Sequence, residues 1–190
     1  AERAVKKLKS KKIKQIKKNN IKFNPHDIAP IVRGLLSENK DQKFVINYRL
    51  NKHLKYFING KNVRTYTSKG TATPDHVIRI KSKPLIIDLS KEKSNNLEKI
   101  IIQSIENFKE NYKKYFKRNH KYNSSASMLD PYPRLILVKG IGIFSTGPTF
   151  KDAKIAMDVG LNSLSVILQA AKFGNFNSIP EKEIFRMEYW

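Results

Sequence analysis

Two long amphipathic runs do most to limit what this chain can fold into. Between Leu97 and Asn119, the residues Leu97, Ile101, Ile105, Phe108, Tyr112 and Tyr115 recur at three- and four-residue steps. That period places them on one face of a helix. A second helix is expected from Phe150 to about Phe173, with Thr149 as its N-cap and Gly174 as its stop. Between the two lies Leu135–Val138, an apolar run of strand length that reads as a buried strand. Long one-faced helices need an apolar surface to cover, and short buried strands supply one. The pattern is that of a sheet with helices on its faces.

Asp27 is expected to cap a short helix over Ile28–Leu36, with Pro30 in its first turn. Phe44–Tyr48 is rich in strand formers, and Leu54–Ile58 fits a strand or a helix. Asn59-Gly60-Lys61-Asn62 is a turn signal. Val77–Lys81 and Leu85–Asp88 read as short strands joined by Ser82-Lys83-Pro84. Tyr122–Pro133 reads as a loop, Ile143–Ser145 as a further strand, and a tail helix is expected after Pro180.

Charge is the chain's most unusual bulk property: 38 basic and 16 acidic residues over 190 positions, a net of +22. The functional reading is a nucleic-acid-binding module. Lys greatly outnumbers Arg, whereas a phosphate reader favours the planar fork of Arg. The preferred reading is therefore compositional drift, with only weak, salt-sensitive binding to polyanions. Residues 1–22 concentrate the charge, with Val5, Leu8, Ile13 and Ile16 at roughly helical spacing. They are expected to form a basic N-terminal helix continuing from a preceding domain, with 23–190 as a domain of a longer chain. The basic start is not followed by an apolar run, and cysteine is absent. Both fit a cytoplasmic setting with no membrane partner.

Two short segments could carry chemistry. In Pro74-Asp75-His76, His76 stands near Arg79 and Lys81, so a histidine and two cations could hold an anion and move a proton. In a strand, Arg79 and Lys81 would share a face. Lys139-Gly140-Ile141-Gly142 is a Gly-rich turn. It is either an anion-binding nest with Lys139 beside it or a turn that needs Gly for its φ angles. Tyr112, Tyr115 and Phe116 alternate with Lys113, Lys114, Lys117 and Arg118, the pattern of a base-stacking surface or of a core stripe beside a solvated face. Tyr48 and Lys52 stand at a dehydrogenase-like spacing, but no nucleotide-binding unit precedes them, and we read the match as coincidence.

Four ordered blocks give the chain a family likeness. They are Ile28-Ala29-Pro30-Ile31-Val32-Arg33-Gly34, then Thr73-Pro74-Asp75-His76-Val77-Ile78-Arg79-Ile80-Lys81, then Val138-Lys139-Gly140-Ile141-Gly142 with Gly147-Pro148-Thr149, and finally Ile184-Phe185 with Glu188-Tyr189-Trp190. Together they resemble proteins of the class II aldolase/adducin family, above all the aldolase-like middle segment of bifunctional rhamnulose-1-phosphate aldolase/short-chain alcohol dehydrogenases. The resemblance implies a three-layer α/β/α sandwich around a mixed, mostly antiparallel sheet. It also implies zinc and NAD for the parent protein, a sugar phosphate as substrate, and other domains of the same polypeptide or a second copy as partners.

The family's metal ligands have no counterpart here. His26, His53, His76 and His120 are widely spaced, and the third-ligand position falls at Ile141. The expectation is a degenerate aldolase-like domain, without metal or cofactor of its own, whose role is structural or substrate-supporting. Its candidate residues are His76 for proton transfer and Arg79, Lys81, Lys139, Gly140 and Gly142 for binding substrate.

Overall fold

The computed structural model describes residues 22–38, 43–50, 52–89, 96–174 and 176–190. The expected basic helix over 1–22 lies almost wholly outside them. In chain order the elements are α1 (Pro25–Leu36), β1 (Val45–Arg49), α2 (Lys52–Ile58), α3 (Val63–Thr67), a 3-10 turn (Pro74–His76), α4 (Val77–Ile80) and β2 (Leu85–Ile87). There follow α5 (Leu97–Asn119), a second 3-10 turn (His120–Tyr122), β3 (Leu135–Val138), β4 (Gly142–Gly147), α6 (Phe150–Phe173) and α7 (Glu181–Glu188).

The four strands form one sheet in the order β1-β4-β3-β2. β1 and β3 both run antiparallel to β4, while β2 runs parallel to β3. Alternation along the strands divides the core. Ile86, Leu135, Leu137 and Ile143 face one layer, where Leu54, Phe57, Val63, Met157, Leu164 and Ile167 meet them from α2, α3 and α6. Leu85, Ile87, Ile136, Val138 and Phe144 face the other, covered by Ile28 and Val32 of α1 and Ile101 and Ile105 of α5. The fold is α/β, a mixed sheet between two helical layers. Gly160 lets α6 lie close, since a Cβ there would stand 2.7 Å from the Leu135 side chain.

A third cluster ties down the end of the chain. Phe185 and Tyr189 of the α7 segment stack at 4.6 Å between ring centroids and pack on Tyr112, Tyr115 and Phe116 of α5. The aromatics of α5 therefore belong to the core, Tyr112 and Tyr115 being buried. No base can stack on them, and nothing among the described residues favours a nucleic-acid surface.

Two expectations need correction. The first helix begins at Pro25, not Ile28. Asn24 is its N-cap, accepting from the His26 N–H at 2.8 Å, and Asp27 closes a capping box by accepting from the Asn24 N–H at 2.8 Å. Pro30 thus lies inside the helix, where its missing N–H removes one backbone bond. The Val77–Lys81 segment is not a strand. Its β-branched residues mislead, because Val77 and Ile80 are buried while Ile78 and Arg79 are exposed, a helical spacing. Thr73 before Pro74 and Asp75 was the available helix-start signal. Leu54–Ile58, expected as a strand or a helix, lies in the helix α2, and the short helix α3 follows it without a clear signal in the sequence. Among the described residues, no helix is long and apolar enough to cross a membrane.

Candidate functional site

α4 ends in an unusual conformation. Lys81 has φ 59° and ψ 173°, and is the only non-glycine with positive φ among the described residues. This is the edge of a region adopted almost only by Gly, and holding another residue there costs about 1–3 kcal/mol. Three contacts hold the residue. Its N–H donates to the Val77 carbonyl, its Nζ donates to the Asp130 carbonyl at 2.7 Å, and the ammonium lies 3.7 Å from the Tyr112 ring centroid. Only 4% of Lys81 is exposed.

Around it lies a buried polar cluster built from distant parts of the chain. Tyr112 donates to Glu188 Oε1 at 2.8 Å, and the Tyr112 and Tyr189 hydroxyls share a hydrogen bond of 2.6 Å. Asp130 binds Arg134 at 2.5 Å. Glu188 Oε2, Arg134 Nη1 and the Tyr115 hydroxyl are buried without a hydrogen-bond partner among the described residues. Burial lowers the Lys81 pKa to about 8, against the opposing pull of Glu188 and Asp130. Burial likewise raises the Glu188 carboxyl, opposed by Lys81, and raises the Tyr112 and Tyr115 phenols, with Glu188 adding to both. Lys81 closes the second resembling block and Glu188 belongs to the last, so the fold brings two of those blocks together here.

Beside this cluster, between the β2 segment and α5, is a cavity of about 370 Å³. Lys81, Ser82, Tyr112 and Tyr115 form buried parts of its wall, and Arg64, Lys83 and Arg118 are exposed at its rim. Among the described residues, no acidic one lines it. Arg64 donates to the Ile86 carbonyl of β2 at 3.0 Å, and Glu181 holds Arg118 through Nε and Nη2 at 2.7 and 2.6 Å. Both guanidinium groups are thereby positioned while keeping further N–H donors.

The six residues nominated from the sequence part ways. Lys81 reaches the cavity. Arg79 is exposed on α4 and His76 lies on the 3-10 turn, and neither lines it. His76 Nδ1 is buried without a partner among the described residues, and the neighbouring Asp75 carboxyl is held below its usual range first by the Thr73 side chain. Lys139 is buried and pairs with Asp88 at 2.7 Å. The Gly140 N–H donates to the Asn59 side chain at 2.7 Å, so that turn is already satisfied from within. Gly140 has φ 81° and Gly142 φ 157°, as a tight turn requires. Ile141 is core, and the Tyr48 hydroxyl donates to its carbonyl at 3.1 Å.

The sequence reading missed Arg64, Lys83, Asp130, Arg134 and Glu188. For Glu188 a signal existed: it shares the apolar face of Ile184 and Phe185 at three- and four-residue spacing. A carboxylate on such a stripe is either paired or perturbed.

Among the described residues, no three His, Cys, Asp or Glu side chains converge as a metal ion would require. The carboxylates of the cluster are engaged by Arg134 and Tyr112, and the His120 ring contacts the Ala126 carbonyl. These residues do not fit the divalent metal that the family likeness implies.

Comparison with known proteins agrees with the architecture. The uncharacterized oxidoreductase YuxG of Bacillus subtilis (strain 168) is 31% identical over 165 residues, which cover 86% of this chain and 23% of that protein. The chain therefore spans less than a quarter of that relative's length. No solved structure matches it significantly. Residues 24–190 match the family described as aldolase class II, second domain, and the chain belongs to that family.

Proposed function

We propose that this chain is a degenerate aldolase-type domain that supports substrate within a longer sugar-phosphate aldolase–oxidoreductase of the rhamnulose-1-phosphate type. The observation that carries this reading is the Lys81 cavity. It is cationic and partly enclosed, and it abuts a strained, buried lysine. Strain of that kind concentrates at binding and catalytic sites.

In this reading the zinc and nicotinamide chemistry of the parent resides outside the chain. The partners are the parent's other domains or a second copy of the chain, and the setting is the cytoplasm. The family membership supports the aldolase half, and the name of the Bacillus relative supports the oxidoreductase half.

The test is a lyase assay on the longer polypeptide with rhamnulose 1-phosphate, following release of dihydroxyacetone phosphate and lactaldehyde. Cleavage is expected, with kcat/KM reduced at least tenfold by Lys81→Met. Absence of cleavage would sink the aldolase reading. Cleavage unchanged by Lys81→Met would leave the domain a structural one.

A further inference from the structure

We infer that Lys81 is a covalent site, whose amine forms an imine with a small aldehyde or ketone in the cavity between the β2 segment and α5. Glu188 supplies the proton that the departing oxygen needs. The inference goes beyond the proposed function, which gives this chain no bond-making step.

Imine formation needs three things in one place: an amine with a free lone pair, room for a carbonyl compound, and an acid for the departing oxygen. Lys81 lines the cavity, and so does Tyr112, whose ring centroid lies 3.7 Å from the amine. Nζ donates to the Asp130 carbonyl at 2.7 Å, a bond that a neutral amine also makes with one of its hydrogens. The nitrogen lone pair then stays unused. Among the described residues, no carboxylate forms a direct ion pair with Lys81, whereas Asp88 holds Lys139 at 2.7 Å. Burial favours the uncharged amine and brings its pKa to about 8. Roughly a quarter of it is then neutral at pH 7.5, against about one part in a thousand for an ordinary lysine. Desolvated lysines of this kind are suited to Schiff-base chemistry.

The acid is Glu188. It is 8% exposed, and its Oε2 has no hydrogen-bond partner among the described residues. Burial raises its carboxyl, opposed by Lys81. Burial thus disfavours ammonium and carboxylate alike, and favours the neutral pair of amine and carboxylic acid. Tyr112 links that acid to the cavity. Its hydroxyl lies 2.8 Å from Glu188 Oε1, and its side chain forms part of the wall.

In the step, the Nζ lone pair forms the C–N bond as the carbonyl π bond breaks, and one amine hydrogen moves to the oxygen. The C–O bond then breaks. The Glu188 proton, passed on through the Tyr112 hydroxyl, leaves with that oxygen as water. The products are an iminium on Lys81, an ionised Glu188 and one water, with no oxidant or reductant consumed. The new cation has the new carboxylate as its countercharge. Ser104, Asn107 and Asn111 line the remaining wall with groups that can donate to a carbonyl oxygen. The volume of about 370 Å³ lies at the small end of ligand pockets, which suits a compound of few carbons.

The experiment is reductive trapping on the chain at pH 7.5, with limiting propanal and sodium cyanoborohydride. Peptide mapping by mass spectrometry ranks the lysines by their rate of propylation. Lys81 is expected to react at least tenfold faster than Lys114, an exposed residue of α5 outside the cavity. Lys139, equally buried but paired, should react among the last. A packing role for Lys81 predicts the opposite order: at 4% exposed, it would be protected as Lys139 is. Glu188→Gln keeps the side chain's shape without its proton. It should slow labelling of Lys81 tenfold or more and leave that of Lys114 unchanged. Urea melts verify its folding; Tyr112→Phe, which interrupts the same proton path, serves if it is unstable.

Lys81 labelled no faster than Lys114 would overturn the site. Labelling of Lys81 at the wild-type rate in Glu188→Gln would overturn the role given to that carboxyl. Lyase activity of the longer polypeptide with Lys81 protected refutes this site alone. Trapping at Lys81 without lyase activity refutes the proposed function alone.

Discussion

Lys81 and Lys139 are both buried lysines next to a short element, and both ends of the comparison were nominated from the sequence as anion binders. Their surroundings separate them. Lys139 meets a carboxylate, Asp88, and the adjacent Gly140 N–H meets Asn59, so the turn satisfies its own polar groups. Lys81 meets a backbone carbonyl and an aromatic face, with Glu188 contributing at longer range. It keeps a perturbed amine beside a cavity whose other charged lining residues, among those described, are all positive. A buried cation with a full countercharge is structural, and one without it is held at a cost that a ligand can repay.

The largest expected effect tests the closed end of that contrast. Asp88→Ala leaves Lys139 buried and unpaired, and breaking such a pair costs about 3–5 kcal/mol. Urea denaturation of the variant should show a loss in that range. A loss below about 1 kcal/mol would mean that the pair is a surface ion pair in effect, and the two lysines would not differ as described.

The next effect concerns pH. The folded pKa of Lys81, about 8, lies below the ordinary lysine value of 10.5. The unfolded chain then binds more protons between those values, so this group's contribution to stability rises with pH across that window. The gain is on the order of 3 kcal/mol if the whole shift is realised. Wild type should therefore gain stability relative to Lys81→Met between pH 7.5 and 9.5, measured by urea melts. The raised phenols of Tyr112, Tyr115 and Tyr189 work in the opposite sense above about pH 10, as the unfolded tyrosines ionise first. A flat difference would show that Lys81 is an ordinary lysine.

A smaller effect isolates the backbone. Lys81→Gly and Lys81→Ala both lose the side chain, but only Ala keeps the strained φ. Strain of about 1–3 kcal/mol offset by glycine's entropy cost of roughly 0.5–1 kcal/mol leaves Lys81→Gly the more stable by about 1 kcal/mol. If Lys81→Ala is the more stable, the conformation is not strained. The smallest effect concerns Arg79. It is exposed and outside the cavity, so Arg79→Ala should change stability in urea melts by less than about 0.5 kcal/mol.

The long-period elements were legible from the residues. The apolar repeat of α5 and the Thr149 N-cap, which accepts from the Asp152 N–H at 3.1 Å, place the helices Leu97–Asn119 and Phe150–Phe173 as expected. The four-residue run of β3 was equally clear. Such elements carry their signal in residues close together along the chain. The segment Val77–Ile80 was misread because four residues hold too little periodicity to outweigh β-branched propensity. Its helix is decided by packing of Val77 and Ile80 into the core.

The site shows the same division more sharply. Sequence alone nominated Lys81, through its place in a resembling block, and placed it with Arg79 on one strand face. Tertiary structure buried one and exposed the other. It also supplied Asp130, Glu188, Arg64 and Arg118, which lie far from Lys81 along the chain. Local pattern reports which side chains can share a face, because helix and strand repeats are short-range geometry. Which charges meet, and which stay uncompensated, depends on loop paths and on the docking of α7 against α5. Those are settled by burial of Phe185 and Tyr189 on Tyr112 and Tyr115, contacts that no short stretch of sequence contains.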